Sequence, residues 1–117
     1  MNTLRNRVQL IGNLGMDPVV KESGNGKTFA RFSIATSDVY RNTEGKKVNN
    51  TEWHNLIVWG GLAETAAKYL KKGHEVAVEG KLKHRSYENS EGAKRNITEV
   101  VVQGMQMLRK PKNELPF

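Results

Sequence analysis

Rings and cations at alternating positions are the side chains of this sequence that could act together. Lys81, Lys83, Arg85 and Tyr87 fall on odd positions of one extended stretch, so three cations ending in an aromatic ring share a face. Trp53 and Trp59 share a parity on another stretch, and Tyr40 closes a third at the edge of a basic loop. Binding unpaired nucleic acid without strong sequence preference needs these two things: π-faces for bases to stack on and cations along the path of the phosphates. Each half has an ordinary explanation too. A run of cations is also the solvated outer face of a strand. A large ring is usually core, and Ile57 between the two tryptophans favours that reading. Against it, Leu56 and Val58 of the opposite parity already supply aliphatic core, and rings left outside beside cations call for a ligand. Arg31 has the outer parity of its own strand and could join them.

Other chemistry is poorly supported. The chain has no cysteine, which excludes disulfides and thiolate metal sites. His54, His74 and His84 are too far apart to form a short ligand pair, and no Ser, Cys or carboxylate cluster stands where a nucleophile or two-metal site would need it. The expectation is a binding protein without enzymatic activity, metal or cofactor. Nineteen Lys and Arg against twelve Asp and Glu give a net charge of +7, which attracts an acidic partner. At 117 residues, 37% of them hydrophobic, the chain can bury one core of its own. No apolar run approaches the ~20 residues of a membrane span, and residues 1–13 hold no signal-peptide core, so a cytoplasmic protein is expected.

The elements that must position these residues are mostly strands. Residues 7–14 alternate Val8, Leu10 and Gly12 against Gln9, Ile11 and Asn13, with apolar groups on both faces, as in a strand covered on each side by a partner subunit. Gly15 and Asp17-Pro18 break it, and residues 23–26 make a second turn. In residues 29–36, Ala30, Phe32 and Ile34 are the core face against Phe29, Arg31 and Ser33. Residues 41–50 read as a loop or long hairpin tip around Gly45, and residues 52–60 as the third strand. One helix is predicted over residues 62–72, with Leu62, Ala66, Tyr69 and Leu70 at helical spacing and Gly73 as its C′ residue. Val76, Val78, Gly80 and Leu82 mark the inner face of the fourth strand, residues 86–95 an arm-like hairpin, and residues 97–107 the fifth strand. Five strands with one helix between the third and fourth is the order of an all-β OB-fold barrel.

Four segments then resemble one family. VQLIGNLGMDP (8–18), FSIATSDVY (32–40), TEWHNLIVWGGLAETAAKYLKKG (51–73) and TEVVVQGMQML (98–108) are similar, in order, to bacterial single-stranded DNA-binding proteins, and the likeness runs over residues 4–108. The resemblance implies a homotetramer of OB-folds wrapped by single-stranded DNA in replication, recombination and repair, in the cytoplasm with the nucleoid. It implies base stacking at Tyr40, Trp53, Trp59 and Tyr87, where family members often carry Trp at the first and last and Phe at the third. It implies DNA contacts at Arg7, Lys21, Lys72, Lys83 and Arg85, while Asn55 and Gly61 stand where the family often has Arg and Lys. Arg31 is read as compensating. His54 matches a family residue at the subunit interface.

The resemblance also divides the chain into an OB-fold domain over residues 1–108 and a short flexible tail over 109–117. Leu115, Pro116 and Phe117 are similar to the family's partner-docking tip, through which replication and repair proteins would bind. Glu114 is the only acidic side chain beside them, and Arg109, Lys110 and Lys112 precede it. Two other readings compete: an OB module for primosome assembly or structured RNA, told apart by preference for unpaired DNA, and an OB-bearing nuclease, which would need metal-ligand carboxylates.

Overall fold

Two-residue alternation shapes most of the strands in the computed structural model, which describes residues 4–109. The strands are β1 (Val8–Leu14), β2 (Val19–Glu22), β3 (Thr28–Arg41), β4 (Lys47–Trp59), β5 (Glu75–Glu88) and β6 (Lys94–Arg109), with one helix, α1 (Gly61–Tyr69), between β4 and β5. The sheet order is β1-β5-β6-β4-β3-β2. A second pairing of β1 with β3, at Asn13↔Ala35 and Leu14↔Ile34, closes five of the strands into a barrel. All pairs are antiparallel except β4 with β6. The sequence reading had these five strands and the helix. It missed β2, whose four exposed residues give no alternation to read and which flanks the barrel by pairing with β3. Counting β2, the helix lies between the fourth and fifth strands.

The core is formed by the inward parity of the five barrel strands. Leu14, Ala30, Phe32, Ile34, Leu56, Val58, Val76, Val78, Val100 and Val102 are buried, and the helix adds Ala63, Ala66 and Leu70. Burial of this apolar surface is the main favourable term of folding. The helix is shorter than residues 62–72. It ends at Tyr69 because Leu70 turns to extended backbone (φ −97°, ψ 142°) and enters the core. Tyr69, expected on the apolar side, is exposed, and Lys71 and Lys72 lie beyond the helix. Gly73, with φ of 92°, belongs to the next turn instead, where its N–H donates to the Leu14 carbonyl. Leu82 was placed on the inner face, yet it is exposed, since the ladder of β5 with β1 ends at Val8↔Gly80.

Closure depends on two close approaches of backbone. A Cβ on Gly12 would collide with the Ala35 carbonyl where β1 crosses to β3, and one on Gly80 with the Val101 carbonyl. Gly80 sits at an irregularity where Glu79↔Gly104 is followed by Gly80↔Val102, leaving Gln103 as the extra residue of a bulge that bends the sheet. Beyond the barrel, β3–β4 and β5–β6 continue as two arms. Their tips share one turn chemistry: Asn42 Oδ1 accepts from the Glu44 and Lys46 N–H groups, and Asn89 Oδ1 from those of Glu91 and Ala93. Gly45 and Gly92 follow in the left-handed region, at φ of 79° and 81°.

Gly12→Ala and Gly80→Ala should each lower unfolding free energy by about 1–3 kcal/mol, the usual result of forcing atoms into a filled space. Gly24→Ala, whose Cβ would meet nothing within 4 Å, should be neutral or slightly stabilising. Urea unfolding of the three variants checks this; equal stability of all three would remove the role given to the close approaches.

Candidate nucleic-acid interface

Cross-strand register assembles the outer wall of the barrel. Phe29 pairs with Trp59 and Arg31 with Ile57 across β3 and β4, Asn55 with Glu99 across β4 and β6, and Lys83 with Glu99 and Arg85 with Ile97 across β5 and β6. Paired residues share a face. Phe29, Arg31, Trp53, Trp59, Glu99, Lys83, Arg85 and Tyr87 therefore all belong to the outer parity of a four-strand wall.

Side-chain contacts knit part of this wall into a chain. The rings of Phe29 and Trp59 lie 5.0 Å apart at a tilt of 38°, a favoured aromatic arrangement. The Arg31 guanidinium stands 5.1 Å from the centre of the Phe29 ring. Its Nε–H donates to Glu99 Oε2 at 3.2 Å, while the Nε–H of Arg85 donates to Oε1 of the same carboxylate at 2.9 Å. Arg85 in turn stands 5.9 Å from the Tyr87 ring. The Glu99 side chain is only 4% exposed, whereas both arginines reach solvent. Two cations joined by one buried carboxylate, with two rings beyond the first and one beyond the second, thus cross the wall from β3 and β4 to β5.

Trp53 and Trp59 are 61% and 41% exposed, so core packing does not account for them. Ile57 between them is buried, as the core reading held for that residue. Trp53 leans on Gly15, where a Cβ would run into its Cζ3 and Cη2 atoms. Gly15 is held by an N–H donated to the Ser33 carbonyl at 3.0 Å.

The remaining sequence-predicted residues are dispersed. Tyr40 is exposed but lies on the β3–β4 arm, at the parity of Ala30, Phe32 and Ile34, so alternation alone does not bring it to the wall. Lys21 is exposed on β2 at the pair Lys21↔Phe29, next to the wall's edge. Arg7 is engaged by Glu79 at 2.7 Å. Lys72 follows the helix, its backbone N–H donating to Asp17 Oδ1 at 2.8 Å. His54 is half-buried, with Nε2 2.9 Å from Thr36 Oγ1 within the same chain. Leu115, Pro116 and Phe117 lie outside the described residues. Among the described residues, no three His, Asp or Glu side chains group to hold a metal ion. No helix there is long and apolar enough to cross a membrane.

Sequence reasoning missed three contributors: Phe29, Glu99 and Gly15. Phe29 has the parity of Arg31 and was assigned to the outer set without a role. Glu99 has a signal as well, being a carboxylate at the outer parity of a strand whose inner residues are Val100 and Val102. Gly15 was read as a turn, and nothing in sequence tells that a ring rests on it.

A closed OB-fold barrel with exposed rings and guanidinium groups on one outer wall is an architecture suited to oligonucleotides. The family follows from comparison: residues 5–108 match the model of the single-strand binding protein family, and the chain belongs to that family. It is 43% identical over 104 residues to single-stranded DNA-binding protein 1 of Chlorobaculum tepidum, covering 88% of this chain and 64% of that protein. To single-stranded DNA-binding protein 1 of Xylella fastidiosa it is 42% identical over 109 residues, covering 92% of this chain and 80% of that one. The chain thus spans just under two thirds of the first relative's length and four fifths of the second's. Among solved structures, a Plasmodium falciparum SSB complex with ssDNA superposes with a TM-score of 0.82 at 29% identity, covering 92% of this chain and 97% of that one.

The geometry ranks the rings by what they do for the fold. Phe32→Ala should cost about 3–5 kcal/mol of stability as a core truncation, and Trp59→Ala about 0.5–1.5 kcal/mol for the lost ring pair. Trp53→Ala should stay within about 0.5 kcal/mol of the wild type, as a surface change. Urea unfolding gives the order; a Trp53→Ala protein that unfolds would make that ring a core residue.

Proposed function

We propose that this chain binds single-stranded DNA without strong sequence preference and covers it during replication, recombination and repair, as a binding protein and not an enzyme. The wall of exposed Trp53, Trp59 and Tyr87 interleaved with Arg31, Lys83 and Arg85 is the observation that carries this reading. Every base has a π-face, so stacking on rings tolerates any sequence, while the cations follow the backbone phosphates. The net charge of +7 adds long-range attraction. Support comes also from the relatives named for single-stranded DNA binding and from the neighbour solved with ssDNA. Lys21, Lys72, Arg7 and Tyr40 extend the DNA path beyond the wall in this reading, the last along the β3–β4 arm. DNA binding places the protein's work in the cytoplasm at the nucleoid.

The working unit is a homotetramer. The outer parity of β1 supports it, since Ile11 is exposed there beside Gln9 and Asn13, an apolar residue that a second copy could cover. His54 lies at a subunit contact in this reading. In this reading residues 1–108 act as the DNA-binding domain, Arg109 still being paired in β6, and the residues after it act as a tail. Its Leu115, Pro116 and Phe117 offer a weak anchor to replication and repair enzymes, since a single acidic side chain gives little steering toward a basic pocket.

Oligo(dT) should quench tryptophan emission at saturation, and alanine at Trp53 or Trp59 should cost about 1–3 kcal/mol of binding. The logarithm of affinity should fall with that of salt by about 0.7 per phosphate neutralised, less than the ~0.9 of duplex binders. Unquenched emission, or tighter binding to duplex or RNA, would refute the reading.

Light scattering should give a four-subunit mass, reduced by His54→Lys, which puts an unpaired charge at the contact. A monomeric wild type would end the tetramer proposal, and equal recovery of partner enzymes without residues 114–117 would end that of the tail.

A further inference from the structure

A buried carboxylate is an unexpected group in the middle of a wall meant for phosphates. Glu99 repels the ligand, and burial removes its hydration, so two guanidinium groups must compensate it. It has no catalytic partner: its oxygens each receive one arginine Nε–H, and no metal-binding group forms around it among the described residues. The geometry points to Glu99 as a positioning residue for DNA binding, one that fixes Arg31 and Arg85 as a matched pair of donors and couples the Phe29–Trp59 rings to Tyr87.

Three features support this. The two arginines come from different hairpins, β3–β4 and β5–β6, and the carboxylate between them is where they meet. Each guanidinium has five N–H donors in a rigid fork. Each gives only its Nε–H to Glu99 among the described residues, which leaves the outer N–H groups for phosphate oxygens or base edges. Each also faces a ring, Arg31 that of Phe29 and Arg85 that of Tyr87, so fixing the guanidiniums orders the aromatic surface on either side. The carboxylate lowers the positive charge of the wall by one and in exchange removes rotamer freedom from two long side chains before DNA arrives. The inference rests on the single-stranded DNA reading above.

Charge and geometry predict opposite results, which makes the test direct. The probe is labelled oligo(dT), with its anisotropy read against full-length protein and urea unfolding run beside it. Glu99→Gln makes the wall more positive, and on charge alone binding should tighten; positioning requires it to weaken, by about threefold or more. Arg31→Lys and Arg85→Lys keep the charge but lose the fork, and each should weaken binding by about the same factor. Because both act through one carboxylate, the double lysine variant should bind more tightly than the product of the single effects, and Arg31→Lys should cost less in the Glu99→Gln background than in the wild type. Tighter or unchanged binding by Glu99→Gln, or full arginine effects without Glu99, overturns the inference. Should Glu99→Gln not fold, the lysine variants decide it alone, and strictly multiplicative effects overturn it. A wild type that ignores oligo(dT) overturns the underlying reading and this inference together.

Discussion

Three residue pairs join the two long hairpins of this protein directly, while β1 bridges them on the other side through β5 and β3. Asn55↔Glu99, Leu56↔Val100 and Ile57↔Val101 form the only parallel ladder in the described residues, and they join the β3–β4 hairpin to the β5–β6 hairpin. Each hairpin is long, locally paired and able to form within itself. Neither can bury its inner face alone. Leu56 and Val100 of the seam point inward to the shared core, and the Asn55↔Glu99 pair points outward to the wall. One register therefore decides both the core and the outer wall. A slip of one residue would exchange them, burying Glu99 in the barrel and expelling Val100.

From that seam the functional geometry follows. Arg31 and Arg85 belong to opposite hairpins and reach one carboxylate because β6 brings Glu99 between them. Phe29 and Trp59 meet at the end of one hairpin, Tyr87 near the end of the other, so the rings are spread along the wall instead of clustered. Spread rings with cations between them suit a linear ligand better than a compact one. The helix takes the opposite task. It covers core with Ala63, Ala66 and Leu70, and its exposed Tyr69, beside Lys68 at 5.4 Å, lies on an element that contributes nothing to the wall.

How much of this the sequence discloses depends on whether a residue's role is set by its neighbours along the chain or across strands. Alternation is local, so the core parity of β3, β4 and β5 and the outer parity of Trp53, Trp59, Arg31 and Arg85 were legible. The order of five strands and one helix was legible from the same alternation, the turns and the helical spacing. β2 was not legible, because four exposed residues held only by pairing to β3 carry no pattern. The helix end was not either: Leu70 continues the helical spacing, and only the core it enters shows why the backbone turns extended. The matching Asn-x-Glu-Gly tips of the two arms, at Asn42 and Asn89, were present in the letters and went unused. Glu99 is the instructive miss. Its partners are 68 and 14 residues away, and a carboxylate inside a cationic wall makes sense only when both arginines are seen to converge on it.

The outer wall of β3, β4, β6 and β5 is the proposed surface on which DNA lies. Ultraviolet crosslinking of oligo(dT) to the full-length protein, with the modified residues identified by peptide mass, tests it most directly. Tyr69 serves as an internal control, an aromatic ring 54% exposed beside a lysine and away from the wall. Crosslinks at Trp53, Trp59 and Tyr87 with none at Tyr69 are the predicted result. Crosslinks at Tyr69 with the wall unmodified would put DNA on the helix side of the barrel and not on the wall.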